Sequence, residues 1–372
     1  MIEESKWLES NRPDIRFEDT EVGRMKKEIW ESGDEEIDKI LADYGIPSPS
    51  ELGKIGVYIQ NTVRQRVIEN RKKNDIVFVP LGTTENHGLH TITHLDNFMT
   101  SQILEGVRRY TAKQGHPINL VYSPLNYGAH PHHHIGMPGT VFLDEETVRK
   151  TLMSVMLGLW NDGFRKIILL NNHGQQWVLE SAIQEFQKTY NLPGIFWTID
   201  WHRAVREFFR TKARGGPYDT DFVHADEAET AVIRLLMGED SCDMECAEET
   251  DPQGYLPDGH FDKAVDPYQR PMSWSEGQGH FPIELSSMPE GVFGKPKLGE
   301  PAKAKRCIAA ILKYLTLIND QILERFPPGQ VPPVEDVTLR SKEEMEPYLK
   351  EPLSPGWKSV YALPRLTGGS SY

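Results

Sequence analysis

Segments in which apolar residues recur with helical spacing alternate along the chain with short, continuous apolar runs. The continuous runs predict buried strands at 76–81, 118–125, 166–171 and 195–201. The periodic segments predict amphipathic helices at 55–74, 96–113, 143–163, 177–190, 225–237 and 303–325. The helix at 143–163 carries the fullest set of signals, because Asp144 is a good N-cap residue and Gly163 a good stop.

Strands that are separated by long helices need crossover connections, and such connections produce parallel pairing with helices on both faces of the sheet. We therefore expect an α/β fold of three layers, α/β/α, around a mostly parallel sheet. The highly charged residues 1–53 and the Pro-rich residues 326–372 predict an N-terminal extension and a C-terminal tail around a main domain at 54–325. Within that domain, residues 238–301 are rich in Pro, Gly, Asp and Ser and predict an irregular insertion.

Charge and composition narrow the range of partners and locations. The chain has 41 Lys and Arg against 55 Asp and Glu, a formal net charge of −14, which disfavours nucleic acid and anionic membranes as partners. No uncharged stretch approaches the roughly 20 residues of a membrane span, and the first 30 residues lack a signal-peptide pattern. We expect a cytoplasmic protein whose three cysteines are ordinary thiols.

Side chains that can bind metal ions follow each predicted strand. They are Glu85, His87 and Asp96 after the first, His130, His132, His133 and His134 after the second, His173 after the third and His202 after the fourth. The carboxyl ends of parallel strands line one crevice, so these groups should converge. Carboxylates and imidazoles together suit a borderline divalent ion such as Zn²⁺ or Mn²⁺.

A single histidine after a strand usually has a structural role, but histidines at four strand ends together favour a metal centre. The predicted helix at 225–237 and the residue before it add Glu229 and His224 as candidate site residues. We interpret Glu227 as an acidic residue of the first turn, which the helix dipole favours. The histidine run 130–134 could be an adventitious metal patch. We favour a wall of the active-site pocket, because the turn at 136–140 would hold the run against the sheet.

Four motifs, taken together and in this order, resemble the creatininase superfamily of metal-dependent hydrolases. They are 80–88 followed by Asp96, 134–140, 163–167 followed by 172–174, and 224–230, and the resemblance covers about residues 55–237. It implies that Glu85, His87, Asp96 and His173 are metal ligands, with Asp96 bridging two ions. It further implies one or two ions of zinc or manganese per subunit and a homo-oligomer, a hexamer.

The chain departs from the family at one ligand position, where creatininase proper has Glu and this sequence has Gln175. Glu229 is the substitute that we predict. A metal-activated water would then attack the substrate, and His224 would carry the proton, since imidazole titrates near neutral pH. Three further residues are expected to shape the substrate pocket: His132, His134 and Trp201.

The resemblance leaves the substrate open within the class of small, polar, cyclic molecules. The long terminal segments and Gln175 look most similar to the branch of the family that cleaves a C–C bond of 3-dehydro-scyllo-inosose in inositol catabolism. A creatininase-type hydrolase of cyclic amides is the alternative within the family. A non-catalytic metal-binding scaffold is the alternative from another class.

Overall fold

The computed structural model describes residues 7–123, 125–130, 136–250 and 291–366. The strands are β1 Trp7–Glu9, β2 Arg16–Glu18, β3 Ile76–Leu81, β4 Asn119–Leu120, β5 Lys166–Asn171 and β6 Ile195–Asp200. The helices are α1 Glu21–Glu31, α2 Asp34–Tyr44, α3 Arg64–Arg71, α4 Leu95–Lys113, α5 Glu145–Asn161, α6 Gln176–Tyr190, α7 Trp201–Ala204, α8 Glu227–Met237, α9 Pro301–Arg325, α10 Val334–Val337 and α11 Lys342–Leu349. None of the described helices is long and apolar enough to cross a membrane.

The central sheet has the strand order β4-β3-β5-β6, and every pair in it is parallel. The register places Leu81, Asn171 and Asp200 side by side, so the carboxyl ends of β3, β5 and β6 are level. Strand β4 is shorter than the sequence predicts. Beyond it, the N–H of Val121 still donates to the carbonyl of Phe78 in β3, and the N–H of Tyr122 donates to the side chain of Gln60.

Helices cover both faces of this sheet, which confirms the predicted three-layer α/β fold. Alternate residues of β3 face opposite layers. Ile76 and Phe78 belong to the core that includes residues of α1, α2, α4, α8 and α9, whereas Val77 and Val79 belong to the core that includes residues of α5 and α6. Because both faces are covered, all six residues of β3 and of β5 are buried. This explains why the two strands are continuous apolar runs in the sequence.

Most of the predicted helices lie within two residues of the observed ones. In α5, the side chain of Asp144 accepts from the N–H of Thr147 at 2.9 Å, as expected of an N-cap. The helix predicted at 55–74 is instead a short 3-10 turn at 59–61 followed by α3. The side chain of Asn61 accepts from the N–H of Tyr58 and donates to the carbonyl of Lys54, and these bonds hold a turn where the helix was expected.

The N-terminal segment is more than a surface extension. Ile15, Phe17 and Tyr44 are at most 1 % exposed and belong to the same core as α4 and α9. The C-terminal segment packs on the other face, where Met345 is fully buried and Val360 nearly so. Both segments contain few apolar residues, and some of these, such as Leu339 and Leu353, are exposed, but the buried ones contribute to the two cores.

Candidate metal centre

The loop after β3 brings its acidic and imidazole side chains against the first turn of α4. Gly82 permits this approach, since a Cβ atom there would lie 2.5 Å from the Asp96 side chain and 2.5 Å from the Asn97 nitrogen. Glu85 and His87 follow in extended loop backbone, and both are at most 2 % exposed. The carboxyl ends of β3 and β5 and the start of α4 therefore meet at one buried point.

Four histidines converge there, and each has one ring nitrogen at a backbone carbonyl. The pairs are His87 Nδ1 with the Glu85 carbonyl at 3.1 Å, His130 Nε2 with Val141 at 3.1 Å, His173 Nε2 with Ala129 at 2.9 Å and His224 Nε2 with Asn86 at 2.7 Å. A carbonyl oxygen can only accept, so the ring nitrogen facing it carries the hydrogen. In the neutral imidazoles, the other nitrogen therefore carries a lone pair.

Those other nitrogens face carboxylates. We call Glu85, His130 and His173 the first cluster, in which the Nδ1 atoms of both histidines lie 3.1–3.2 Å from the two Glu85 oxygens. The Nδ1 atom of His173 also lies 3.3 Å from Asp96 Oδ2. His224 Nδ1 lies 3.6 Å from Glu85 Oε1, and its ring is 4.5 Å from that of His87.

We call His87, Asp96 and Glu229 the second cluster. His87 Nε2 lies 3.7 Å from Asp96 Oδ1 and 3.8 Å from Glu229 Oε2. Asn172 links the two carboxylates, because its Nδ2 donates to Asp96 at 2.5 Å and is 3.4 Å from Glu229.

Helix α8 presents Glu229 to the second cluster in its first turn. Asp226 caps this helix by accepting from the backbone N–H groups of Ala228 and Glu229. Ala225, which lies between the cap and His224, has a φ of 50°, a left-handed conformation that is unusual for alanine. Its N–H donates to Glu229 Oε2 at 2.6 Å, so the strained backbone helps to aim that carboxylate.

The arrangement fits a divalent metal centre better than it fits a hydrogen-bonded polar core. Two buried atoms, His87 Nε2 and Asp96 Oδ2, form no hydrogen bond with any described residue. Two donors at about 2.1 Å from one tetrahedral zinc ion lie roughly 3.4 Å apart, close to the nitrogen–oxygen spacings within both clusters. Imidazoles held by backbone carbonyls on their far side are also the usual ligands of such ions.

The electrostatics of the metal-free site show that these groups compete for protons. Burial lowers the pKa of His87, with the neighbouring His224 acting in the same direction. Burial also opposes protonation of His173, but the carboxylates of Glu85 and Asp96 outweigh it and raise the pKa of that imidazole well above its usual value. Burial, together with Asp96, raises the pKa of Glu229 well above the usual range. Divalent cations would relieve this repulsion among carboxylates.

Six of the residues that the sequence predicts for the site lie together in the structure: Glu85, His87, Asp96, His173, His224 and Glu229. His132 and His134 fall in 131–135, outside the described residues. Trp201 is fully buried, and its ring N–H donates to Asn172 Oδ1 at 2.5 Å. It therefore contacts the residue that links the two carboxylates of the second cluster.

Glu227 forms contacts within the fold and lies outside both clusters, consistent with the prediction that it is not a site residue. It is fully buried, it accepts from the backbone of Asp219 and Thr220, and it pairs with Lys303. His202 stacks on Phe222 with ring centroids 4.7 Å apart and belongs to neither cluster.

Two residues near the carboxylates were not singled out from the sequence. Asn172 follows β5 directly, and its position at the end of a predicted strand is the pattern that could have identified it as a site residue. His130 was only one member of a histidine run, and nothing in the run distinguishes a residue that faces the site from its neighbours. Gln175, at the position of the expected ligand, is fully buried, and its amide oxygen accepts from the N–H of Ala129 at 3.2 Å.

Comparisons with known proteins agree with this fold. The family profile described as "Creatininase: Creatinine amidohydrolase" matches residues 61–318. The 3-dehydro-scyllo-inosose hydrolase of Thermotoga maritima is 43% identical over 313 residues, which cover 84% of this chain and 98% of the relative.

Solved creatininases share the fold. A manganese form has a TM-score of 0.53 at 19% identity and covers 73% of this chain and 99% of its own. Another creatinine amidohydrolase structure has a TM-score of 0.52 at 19% identity and covers 73% of this chain and 98% of its own. The profile spans well over half of the residues, and the Thermotoga protein aligns over almost its whole length. The chain therefore belongs to the creatininase family of hydrolases, as its motifs predicted.

Proposed function

We propose that this hydrolase acts on 3-dehydro-scyllo-inosose and opens its ring by cleaving a C–C bond. The observation that carries this proposal is the 43% identity to the Thermotoga maritima hydrolase of that name, over 84% of this chain and 98% of the relative. Solved creatininases resemble the chain at 19% identity and support the fold alone. The inositol-derived substrate is therefore favoured over creatinine.

The proposed cofactor is a divalent metal, zinc or manganese, with one or two ions per subunit. Glu85, Asp96 and His173 would hold one ion, and His87, Asp96 and Glu229 the other, so that Asp96 lies between the two. This donor set of imidazole and carboxylate contains no thiolate, as suits both metals. When bound, such ions supply Lewis acidity, which brings the pKa of a water near neutrality and polarises a carbonyl group.

The substrate is a cyclic 1,3-diketone, and its hydrolysis balances with one water. The oxygen of water forms a bond to one carbonyl carbon of the ring. The bond between that carbon and the carbon shared by the two carbonyls then breaks. The electron pair passes into the second carbonyl as an enolate, and the shared carbon takes up a proton. The product is an open-chain keto acid.

His224 is the proposed carrier of that proton. Its Nε2–H is engaged by the Asn86 carbonyl, and Nδ1 faces Glu85 Oε1 at 3.6 Å. A single inward-facing nitrogen can take a proton from the attacking water and deliver it to the shared carbon. The bond to Asn86 holds the ring in the orientation that this transfer needs.

Three pocket residues complete the proposal. His132 and His134 would hydrogen-bond the ring hydroxyls of the substrate. Trp201 would act on the substrate indirectly, because it holds Asn172, which binds Asp96. We also propose a homo-oligomer, a hexamer, in the cytoplasm, which light scattering and cell fractionation would test.

A substrate panel tests the proposed reaction. The metal-loaded protein is incubated with 3-dehydro-scyllo-inosose, creatinine and a formamide, and acid or amine release is followed. We expect turnover of the inosose alone. Turnover of amides alone would replace the proposal with a creatininase-type C–N hydrolase. Turnover of none of the three by protein that binds metal would favour the scaffold alternative.

A further inference from the structure

We infer that His130 is an additional ligand of the metal centre and that Gln175 is the positioning residue that holds it in place. The inference rests on the proposed metal centre and is independent of the proposed substrate. The resemblance to the family implies no ligand at position 130, and it implies a ligand at 175. The geometry points to the reverse assignment.

The environment of His130 resembles that of the proposed ligand His173 in burial and in the contacts of both ring nitrogens, although only His173 also lies close to Asp96. Its side chain is completely buried, as is nearly all of that of His173. Each ring has Nε2 at a backbone carbonyl and Nδ1 within 3.2 Å of an oxygen of Glu85. The two ring centroids are 4.7 Å apart. Glu85 therefore lies between two imidazole nitrogens, at the spacing of ligands around one ion.

The contacts of His130 are compatible with the tautomer that a metal ligand needs. Its Nε2 also lies 3.1 Å from the Thr83 hydroxyl, which, together with the Val141 carbonyl, fixes the plane of the ring. Because the carbonyl can only accept, Nε2 carries the hydrogen of the neutral ring. Nδ1 then directs a lone pair at the Glu85 carboxylate, and two lone pairs at 3.2 Å repel each other unless a proton or a metal ion lies between them.

Gln175 connects the backbone segments that carry the ligands of the first cluster. Its amide oxygen accepts from Ala129, the residue before His130. Its amide nitrogen lies 3.3 Å from the carbonyl of Gly82 and 3.3 Å from the side chain of Asn171, which ends β5. Ala129 in turn accepts from His173 through its carbonyl. A Glu at 175 could not donate to Gly82, so the amide suits a positioning residue.

This assignment makes the two clusters chemically different. The first cluster offers two imidazoles with the Glu85 carboxylate, whereas the second offers one imidazole, His87, with two carboxylates. Nitrogen-rich sites favour zinc and cobalt, and oxygen-rich sites are better suited to manganese. We therefore expect zinc or cobalt to fill the first cluster before the second.

The test replaces His130 with Gln and compares the variant with His202→Gln. His202 is a matched control, since it is a buried imidazole at the carboxyl end of the same sheet and packs on Phe222 outside both clusters. Metal-stripped proteins are titrated with Zn²⁺ against a chromophoric chelator, and the visible absorption of their Co²⁺ forms is recorded. The removal of a ligand should weaken zinc binding at the tightest site by about 100-fold. The loss of a residue that only hydrogen-bonds to a ligand lowers metal affinity by roughly 10–100-fold, so the Co²⁺ spectrum is needed to separate the two roles.

We expect His130→Gln to lose that affinity and to shift the Co²⁺ spectrum, while His202→Gln retains both. Gln175→Ala should weaken the same site by about tenfold and leave the Co²⁺ spectrum of the saturated protein close to that of the wild type, as a positioning role requires. Unchanged affinity and spectrum in His130→Gln would overturn the assignment of His130. Equal losses in His202→Gln would show that the effect is not specific to position 130.

X-ray absorption of the wild-type protein, loaded with one equivalent of zinc, tests the inference even if the variants do not fold. Two imidazoles per zinc are expected, and one would overturn it. None of these readouts depends on turnover, so failure of the inosose assay would leave the ligand assignment standing. Failure of the protein to bind zinc at all would instead remove the metal centre on which both proposals rest.

Discussion

Buried charged residues lie at both ends of strands β3 and β5, and the two ends differ in how these charges are compensated. At the amino end, Asp75 precedes β3 and Lys166 begins β5. Lys166 donates to Asp75 at 2.5 Å and to the Phe326 carbonyl at 2.7 Å, and the other Asp75 oxygen accepts from the N–H of Gly329 at 2.9 Å. Here each buried charge has an opposite charge or a hydrogen-bond partner.

At the carboxyl end, imidazole nitrogens and carboxylate oxygens crowd together with no basic side chain of Lys or Arg in either cluster. His87 Nε2 and Asp96 Oδ2 are buried without a hydrogen bond among the described residues, and three carboxylates lie close together. A structural polar cluster pairs donors with acceptors, since an unpaired buried group is costly. The carboxyl-end arrangement is therefore unfavourable for a protein alone and favourable around cations. The contrast predicts that substitutions at one end change function and at the other end change stability.

The largest expected effect is that of Asp96→Asn on activity. This carboxylate contacts both clusters, so its loss should remove metal and reduce turnover by at least about 10³-fold. The folded state should survive, because the substitution relieves repulsion with Glu229. Metal analysis, an activity assay and thermal unfolding of the variant would test this. Full activity in a metal-free variant would contradict the account.

Asp75→Asn should have the converse effect. It leaves the Lys166 ammonium buried without a carboxylate, and breaking such a pair costs about 3–5 kcal/mol. Denaturant unfolding should show that loss in the free energy of unfolding, while the folded fraction keeps its metal and its turnover number. A stable variant with impaired turnover would show that the two ends are not as separate as we propose.

His224→Ala should reduce turnover without loss of metal. A proton carrier contributes typically about 10²-fold or more to the rate, and the ligand sets of both proposed ions remain complete without it. Metal content and kcat measured on one preparation would test this. If the variant loses an ion instead, His224 is a ligand, a role that its position 3.6 Å from Glu85 also permits.

The smallest effect is that of pH on the metal-free protein. The pKa values of Glu229 and His173 are raised in the folded chain, so folding binds protons at these two groups, and their contribution to stability should fall as pH rises above the unfolded values of about 4.3 and 6.5. The lowered pKa of His87 acts in the opposite direction, but only near and below its unfolded value of about 6.5. Metal affinity should change in the opposite direction, by about tenfold per pH unit for each displaced proton. Unfolding and zinc titrations at pH 6, 7 and 8 would show whether the two trends are opposed.

Much of the carboxyl end could be predicted from the sequence. Short apolar runs predict β3, β5 and β6, and the geometry of parallel strands predicts that Glu85, His87, Asp96 and His173 lie close together, as they do in the structure. Glu229 was predicted from a departure at Gln175, and it lies beside His87 and Asp96.

Other features depend on three-dimensional packing that the sequence pattern does not encode. The inward direction of His130 is set by the bonds of its ring to Thr83 and Val141, which are distant in sequence. The burial of Ile15 and Phe17 in a highly charged segment follows from contacts with the main core. Strand β4 is also shorter than its apolar run predicts, and just beyond it the N–H of Tyr122 donates to the side chain of Gln60.

The most direct test of the central claim is a calorimetric titration of metal-stripped wild-type protein with Zn²⁺, run in two buffers to count the protons released. We predict binding of one or two ions per chain, with release of protons at neutral pH as zinc displaces them from carboxyl and imidazole groups. Asp96→Asn should lose this binding, and Asp75→Asn should keep it. Absence of zinc binding by the wild-type protein, or equal binding by Asp96→Asn, would contradict the assignment of the carboxyl end as a metal centre.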